Sequence, residues 1–352
     1  MDSPRLNRTT PSLVRRKSVS LSPENLVNLA ELQPGQRLPL LICPQVGGVS
    51  LPAWAANNRA LIEEKLRLHG GILFRGFNVH EVPEFEQFTQ SVSSDLLEYR
   101  ERSSPREKLH GNVYTSTEYP HEYSIFLHNE NSYASKWPLK IFFYCAIQPT
   151  SGGETPIADV RRVYARIDPE IRERFARLGV MYVRNLNDSS RGTSLGLAWQ
   201  TVFQTSDKTL VEEACRNGGY QVEWTENGLR TRRVGQAIAQ HPVTDEMLWF
   251  NHGTFFHVST LDAGVRDALL ENFREEDLPN QTYYGDGSPI EPEVLDHLRA
   301  AYEAETIAFP WQQGDVLLLD NMMTAHARRP FSGARRIAVA MSEAFSLSTD
   351  SQ

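Results

Sequence analysis

Four short apolar runs limit what this chain can fold into: Ile72-Leu73-Phe74, Lys140–Ile147 (KIFFYCAI), Val316–Asp320 (VLLLD) and Arg336–Ser342. They are rich in β-branched, aromatic and leucine residues, read as buried strands, and are far too short to span a bilayer. Between them lie segments of helical character. Leu61, Ile62 and Leu66 recur at helical spacing until Gly70-Gly71 stops them, and helices are predicted across 84–92, about 159–178, 262–272 and 293–304. Strands at both ends with helices between them imply an α+β fold, a β core wrapped by helices. Ser124–Leu127 and Leu248–Asn251 add short strands. The polar, turn-rich stretch 98–120 reads as a loop over a site. The stretch 186–245, broken by Gly218-Gly219 and Gly228, reads as an insertion of helix and hairpin.

The N-terminal segment carries Arg5, Arg8, Arg15, Arg16 and Lys17 among Ser, Thr and Pro. Residues 1–36 are accordingly expected to be a disordered basic arm, 348–352 a tail, and 37–347 a single domain. The whole chain is nevertheless acidic, with 36 Lys and Arg against 44 Asp and Glu and a net charge of −8, which argues against a nonspecific nucleic-acid binder. Cys43, Cys145 and Cys215 are odd in number, widely spaced and without a CxxC pair. That excludes a disulfide framework and fits a reducing, cytoplasmic setting. No secretory signal or membrane segment is expected.

The chemistry gathers around histidine. Of ten histidines, only His128 has an acid two residues later, Glu130. On a strand, residues two apart face the same side, so both side chains could grip one metal while Asn129 points away. With 44 acids in 352 positions, ten histidines should give about one such triplet by chance, so the triplet alone decides nothing. His326, after the apolar strand VLLLD, and Arg336, at the head of the last strand, add the weight. Two histidines and a carboxylate form the facial ligand set of non-haem ferrous oxygenases, leaving open positions for a 2-oxo acid and dioxygen. Such a cosubstrate has a far carboxylate, which an arginine can hold in a two-pronged contact.

Six pieces, in order, resemble the taurine dioxygenase branch of the iron(II)/2-oxoglutarate-dependent oxygenases. They are Gly71-Ile72-Leu73-Phe74-Arg75-Gly76-Phe77, Leu127-His128-Asn129-Glu130-Asn131-Ser132-Tyr133, Gly152-Gly153-Glu154-Thr155, Trp199-Gln200-Thr201-Val202-Phe203, Trp249-Phe250-Asn251-His252, and Asp320-Asn321 through Arg336. They span about residues 38–345, and the likeness is strongest to the SyrP-like amino-acid hydroxylases of nonribosomal peptide pathways. The resemblance implies a double-stranded β-helix (jelly-roll) core with a long insertion between the metal ligands. It implies iron held by His128, Glu130 and His326, and the distal carboxylate of 2-oxoglutarate held by Thr155 and Arg336. It also implies oxidative decarboxylation to succinate and carbon dioxide, coupled to hydroxylation of a substrate C–H bond, with dioxygen consumed.

Departures from the family pattern narrow the substrate. Taurine dioxygenase has a second arginine four residues after the one matching Arg336, where this chain has Ala340, so taurine is a poor guess. Related halogenases replace the acid with a small residue, and Glu130 is present. The expected reaction is hydroxylation of an amino acid, free or bound to a peptidyl carrier protein, at the β-carbon. Desaturation or cyclisation would use the same cofactors. A non-catalytic binding barrel or a zinc hydrolase remains as a distant alternative, since the ligand set also suits zinc. Candidate substrate contacts are Asn129, Ser132, Tyr133, Trp199, Gln200, Arg328 and Arg329. Arg230, Arg232 and Arg233 could meet a carboxylate or a carrier protein, or form a plain exposed basic strand. His252 and His257, five apart, share neither a helix nor a strand face and are assigned to packing or the pocket wall. His121 is assigned a structural role.

Overall fold

Residues Ile141 to Cys145 are all buried, because the strand Trp137–Ile147 lies inside an eight-stranded sheet with neighbours on both edges and cover on both faces. The computed structural model describes residues 26–93, 95–98, 106–191 and 196–347. The large sheet runs, in spatial order, Val27–Glu31, Leu40–Pro44, Gly71–Phe74, Val316–Asp320, Trp137–Ile147, Arg336–Phe345, Val113–Thr115 and Lys108–His110. Every pairing is antiparallel except that of Leu40–Pro44 with Gly71–Phe74.

A sheet covered on both sides needs apolar residues at both parities of each strand, which is why its runs read as continuous rather than alternating. Phe142, Tyr144, Leu318, Ala338 and Ala340 pack against the helices Leu51–Asn57, Arg59–His69 and Val82–Val92. Ile141, Phe143, Leu317, Ile337 and Val339 face the other way, onto Ile157, Phe309 and Trp311. That second layer is a four-stranded sheet of Thr306–Ile307, Ile157–Asp159, Thr324–Arg328 and Ile125–His128. The predicted helices appear as Arg59–His69, Val82–Val92, Val160–Arg166, Pro169–Leu178, Ala263–Asn272 and Pro292–Ala304. Among the described residues no helix is long and apolar enough to cross a membrane.

The stretch 98–120, read as a loop, holds two strands of the large sheet, Lys108–His110 and Val113–Thr115, which are too short to show a pattern. Two boundaries also differ from the sequence reading. The expected arm 1–36 contains a strand, Val27–Glu31, paired antiparallel with Leu40–Pro44. Val27 is 3% exposed within the helix-side core, and that burial draws the segment into the sheet. Residues 1–25 and 348–352 lie outside the described residues. The insertion is also wider than 186–245. Its sheet joins Gln221–Thr225, Gly228–Gly235, Val180–Asn187 and Asn280–Tyr284. Trp199, Val202, Val211 and Cys215, from two covering helices, fill its core with Leu186 and Leu229. Asn280–Tyr284 was missed because NQTYY shows no apolar alternation; its register partner is Val180–Arg184.

Gly70 ties the helix layer to the chemistry. It ends the helix Arg59–His69 in the left-handed conformation (φ 76°), with its N–H on the Leu66 carbonyl. Its own carbonyl accepts from Asp320 N at 3.0 Å and from Thr324 Oγ1 at 2.8 Å, in the turn that leads to His326. A Cβ here would stand 2.7 Å from Thr324 Oγ1. Gly70→Ala is therefore expected to cost about 1–3 kcal/mol from backbone strain plus the clash, read as a lower urea midpoint with unchanged m-value.

Candidate active site

His128 and His326 are direct register partners on adjacent antiparallel strands, so their side chains leave the sheet on the same face. Their ring centroids are 4.4 Å apart. Phe255 stacks on His128 at 4.4 Å, and Phe143 meets His326 edge-on at 5.0 Å. Glu130 arrives differently from the expectation. The strand ends at His128, and Glu130 sits in the turn that follows, where Asn131 takes a left-handed φ of 57°. Ligand atoms of His128, Glu130 and His326 all lie within 4.8 Å of one another. Nε2 of His326 is 3.8 Å from Glu130 Oε2.

Asn321 fixes that turn. Its Oδ1 accepts from Glu130 N at 2.7 Å, and its Nδ2 donates to the carbonyls of Glu130 and Pro138 at 3.0 and 2.8 Å. Asn129 Nδ2 returns a bond to the Asn321 carbonyl at 2.7 Å. Asp320 braces the turn that carries Asn321. Its Oδ1 accepts from the N–H groups of Met322 and Met323, and its Oδ2 accepts from His241 Nε2 at 3.1 Å.

The donor set fits a divalent metal. Nδ1 of His128 is turned to the Phe126 carbonyl at 2.9 Å, which leaves Nε2 for coordination. Nδ1 of His326 is buried without a hydrogen-bond partner. Loss of hydration on burial holds both rings below the usual histidine value, His326 well below it, so both are neutral at pH 7 and carry lone pairs.

Beside the triad runs a narrow cleft lined by Phe143, Thr155, Arg328, Arg335, Ile337 and Val339. Arg335 sends Nε to the Gly153 carbonyl at 2.9 Å and Nη2 toward Thr155 Oγ1 at 3.5 Å. Trp311 Nε1 donates to the same hydroxyl at 3.1 Å. Burial, reinforced by the charge of Arg328, pulls Arg335 down to about 10, and it is still a cation at pH 7. Among the described residues no carboxylate lies within ion-pair distance of it. A buried guanidinium beside a hydroxyl suits an incoming carboxylate. On the far side of His128 opens a larger cavity of about 320 Å³.

The family described as "Taurine catabolism dioxygenase TauD, TfdA family" matches residues 31–341. The chain belongs to the TauD/TfdA family. It is an enzyme, an Fe(II)/2-oxoglutarate dioxygenase, with iron, 2-oxoglutarate and dioxygen as its cofactors. Among curated proteins, the dapdiamide synthesis protein DdaC of Enterobacter agglomerans is 41% identical over 281 residues, 80% of this chain and 84% of that one. A clavaminate synthase-like protein of Arabidopsis thaliana is 31% identical over 317 residues, 86% and 93% of the two chains. Among solved structures, PvcB of Pseudomonas aeruginosa shares the fold. It is described as an Fe, alpha-ketoglutarate dependent oxygenase from an isonitrile synthetic pathway; the TM-score is 0.52, at 17% identity over 93% of each chain.

The family arginine is where the structure departs most from the sequence reading. Arg336 is exposed and does not line the cleft, whereas Arg335 does. Ile337 and Val339 also line the cleft, but the strand begins at Arg336 and its pairing shifts register between Arg336 and Ile337, so the bond of Arg335 to the Gly153 carbonyl, not strand alternation, fixes it there. The position four residues beyond Arg335 is then Val339, on the cleft wall, while Ala340 faces the helices. Both are apolar, so the argument against taurine stands on either alignment.

The proposed substrate contacts are largely structural. Asn129 is spent on Asn321, and the Ser132 hydroxyl lies 2.6 Å from His252 Nδ1. Tyr133 is 1% exposed and packs on His252 and Phe256. Trp199 Nε1 and Gln200 Nε2 both bond Asp188, inside the insertion. None of these five lines the triad's cavities. Arg329 is exposed. Arg328 does line the cleft, but it grips the carbonyls of Tyr119, Pro120 and Tyr123 at 2.6–2.8 Å. Arg230 pairs with Asp277, Arg232 with Glu223, and Arg233 donates to the Tyr133 carbonyl, so all three are engaged within the chain. His252 lines the larger cavity, and His257 caps a turn through Ser259. His121 is exposed, beside Phe331.

Sequence reasoning passed over Arg335, Arg106 and the clamp role of Asn321. The apolar run after Arg335 and Arg336 marks neither of them, and Arg106 and Asn321 carry no periodic signal. Asn321→Ala would leave one buried N–H and two carbonyls unpaired. It is expected to cost about 2–4 kcal/mol and to weaken metal binding, read by thermal melts with and without Mn(II).

Burial also depresses His252 well below its usual value and His257 to about 4, again chiefly through lost hydration. The unfolded chain takes up protons on these four histidines near pH 6.5, while the folded chain resists until lower pH. The unfolded state thus binds more protons in that window, and stability falls as pH drops from about 6.5 toward the folded values. Urea midpoints of metal-free protein between pH 7.5 and 5.5 should fall, and His252→Gln should flatten the slope.

Proposed function

We propose that this enzyme hydroxylates an unactivated C–H bond of an amino-acid substrate in a natural-product pathway, on a double-stranded β-helix core. The observation that carries the reading is that two spaces border the triad. They are the cleft holding Arg335 and Thr155 and the 320 Å³ cavity, and His128 lines both. In this reading His128, Glu130 and His326 hold iron, and Arg335 with Thr155 takes the distal carboxylate of 2-oxoglutarate. Bound iron supplies the oxidative decarboxylation of 2-oxoglutarate that drives C–H oxidation. The chain's part is to orient and exclude. Phe143 and Phe255 hold the two imidazoles by packing, the Phe126 carbonyl sets the His128 tautomer, and apolar walls keep water from the reacting centre. The natural-product setting draws support from DdaC, a dapdiamide synthesis protein 41% identical to this chain.

Anaerobic addition of Fe(II) and then 2-oxoglutarate should produce a weak visible charge-transfer band that needs both. The band should vanish in Glu130→Ala and His326→Ala. Arg335→Gln should raise the 2-oxoglutarate Kd roughly 30-fold, about 2 kcal/mol for lost charge-assisted hydrogen bonds, while Arg336→Gln leaves it unchanged. No band in folded protein would sink the iron reading. An effect at Arg336 rather than Arg335 would overturn the assignment of the arginine.

A further inference from the structure

Arg106, just before the strand Lys108–His110, has a side chain only 4% exposed. Its Nη2 alone contacts both oxygens of Glu130, at 3.0 and 2.9 Å. One nitrogen straddling both oxygens occupies the open side of the carboxylate, where the lone pairs a metal would use also point. Arg106 lines both the cleft and the larger cavity, and among the described residues it is the one arginine or lysine that lines the larger cavity. The rest of that space is dominated by Phe255, Val258, Leu261, Val265, Leu269 and Leu278.

These contacts conflict with a loaded triad. A divalent ion on His128, Glu130 and His326 takes at least one carboxylate oxygen from Arg106. It also places two positive centres on one carboxylate in a buried, weakly screened site. The guanidinium borders both spaces, so an anion that enters the larger one meets it there.

We propose that Arg106 is a two-position anchor. It rests on Glu130 in the metal-free protein, and once metal occupies the triad it holds the carboxylate of a substrate in the larger cavity. The ligand class is an acid with a free carboxylate at the Arg106 end and an apolar body along the Phe255–Leu278 wall. A substrate whose carboxylate is masked as an ester or thioester does not satisfy it. The proposal rests on the reading of the triad as a metal site.

The test uses a matched pair of probes, 3-phenylpropanoate and 3-phenylpropanamide, titrated calorimetrically into anaerobic protein loaded with Co(II) and 2-oxoglutarate. The Co(II) visible spectrum first reports whether the triad is filled. In loaded wild type the acid should bind about tenfold or more tightly than the amide, the scale of one charge-assisted contact. In metal-free wild type, where Glu130 occupies Arg106, that preference should disappear, a comparison that needs no variant. In folded, loaded Arg106→Gln it should disappear as well, while Arg106→Lys keeps part of it. Equal binding of acid and amide to loaded wild type overturns the proposal. So does failure of both to bind, or a preference that survives in Arg106→Gln and so places the carboxylate elsewhere. Failure of Co(II) to fill the triad at all sinks the metal reading itself, and the cobalt spectrum separates that case from the others.

Discussion

One side chain holds the site's two halves together. Asn321 bonds the backbone of Glu130, 191 residues away in the chain, through both its carbonyl oxygen and its amide nitrogen. A planar amide that donates and accepts at once fixes distance and rotation together, which a single hydrogen bond does not. Once that turn is pinned, the pairing of His128 with His326 completes the triad. The buried bond from Thr324 to Gly70 and the contact of Asp320 with His241 then extend the restraint into the helix layer and the insertion. Geometry at the triad is therefore a property of the folded whole, held by elements from every third of the sequence.

The site also concentrates charge where water is scarce. Arg106, Arg328 and Arg335 all line one narrow cleft in the low-dielectric interior, and Arg106 meets Glu130 there. Arg328 settles its charge on three backbone carbonyls, and Arg106 settles on Glu130. Among the described residues, Arg335 meets a carbonyl, two hydroxyls and the Phe331 ring. Three guanidiniums lining one cleft are well matched to a dianionic cosubstrate.

Much of this was legible in the sequence, and the failures have physical causes. The four central strands of the large sheet announce themselves because burial on both faces demands unbroken apolar runs such as KIFFYCAI and VLLLD. That same property hid the parity of the last strand. In IAVAM either face could be inner, so the choice between Arg335 and Arg336 could not be read from alternation alone. Asn129, Ser132 and Tyr133 flank the ligands in sequence and so invited a substrate role. The turn after His128 sends them instead into the clamp and the core. Arg106 sits in a polar loop with no periodicity, and nothing in its neighbours marks it. Its position depends wholly on tertiary structure.

The central strand Trp137–Ile147 is flanked by Val316–Asp320 on one edge and Arg336–Phe345 on the other. Both of its partners come from the end of the chain. During synthesis this strand, among the most apolar in the protein, leaves the ribosome long before either neighbour exists. It must wait with both edges unpaired until the C-terminal segment arrives, and an unpaired apolar strand is a template for association with other chains. Assembly of the sheet is thus a late event built on pairings between distant segments, which makes folding slow for topological reasons. The arrangement that buries this strand in the finished enzyme leaves it exposed in the nascent chain.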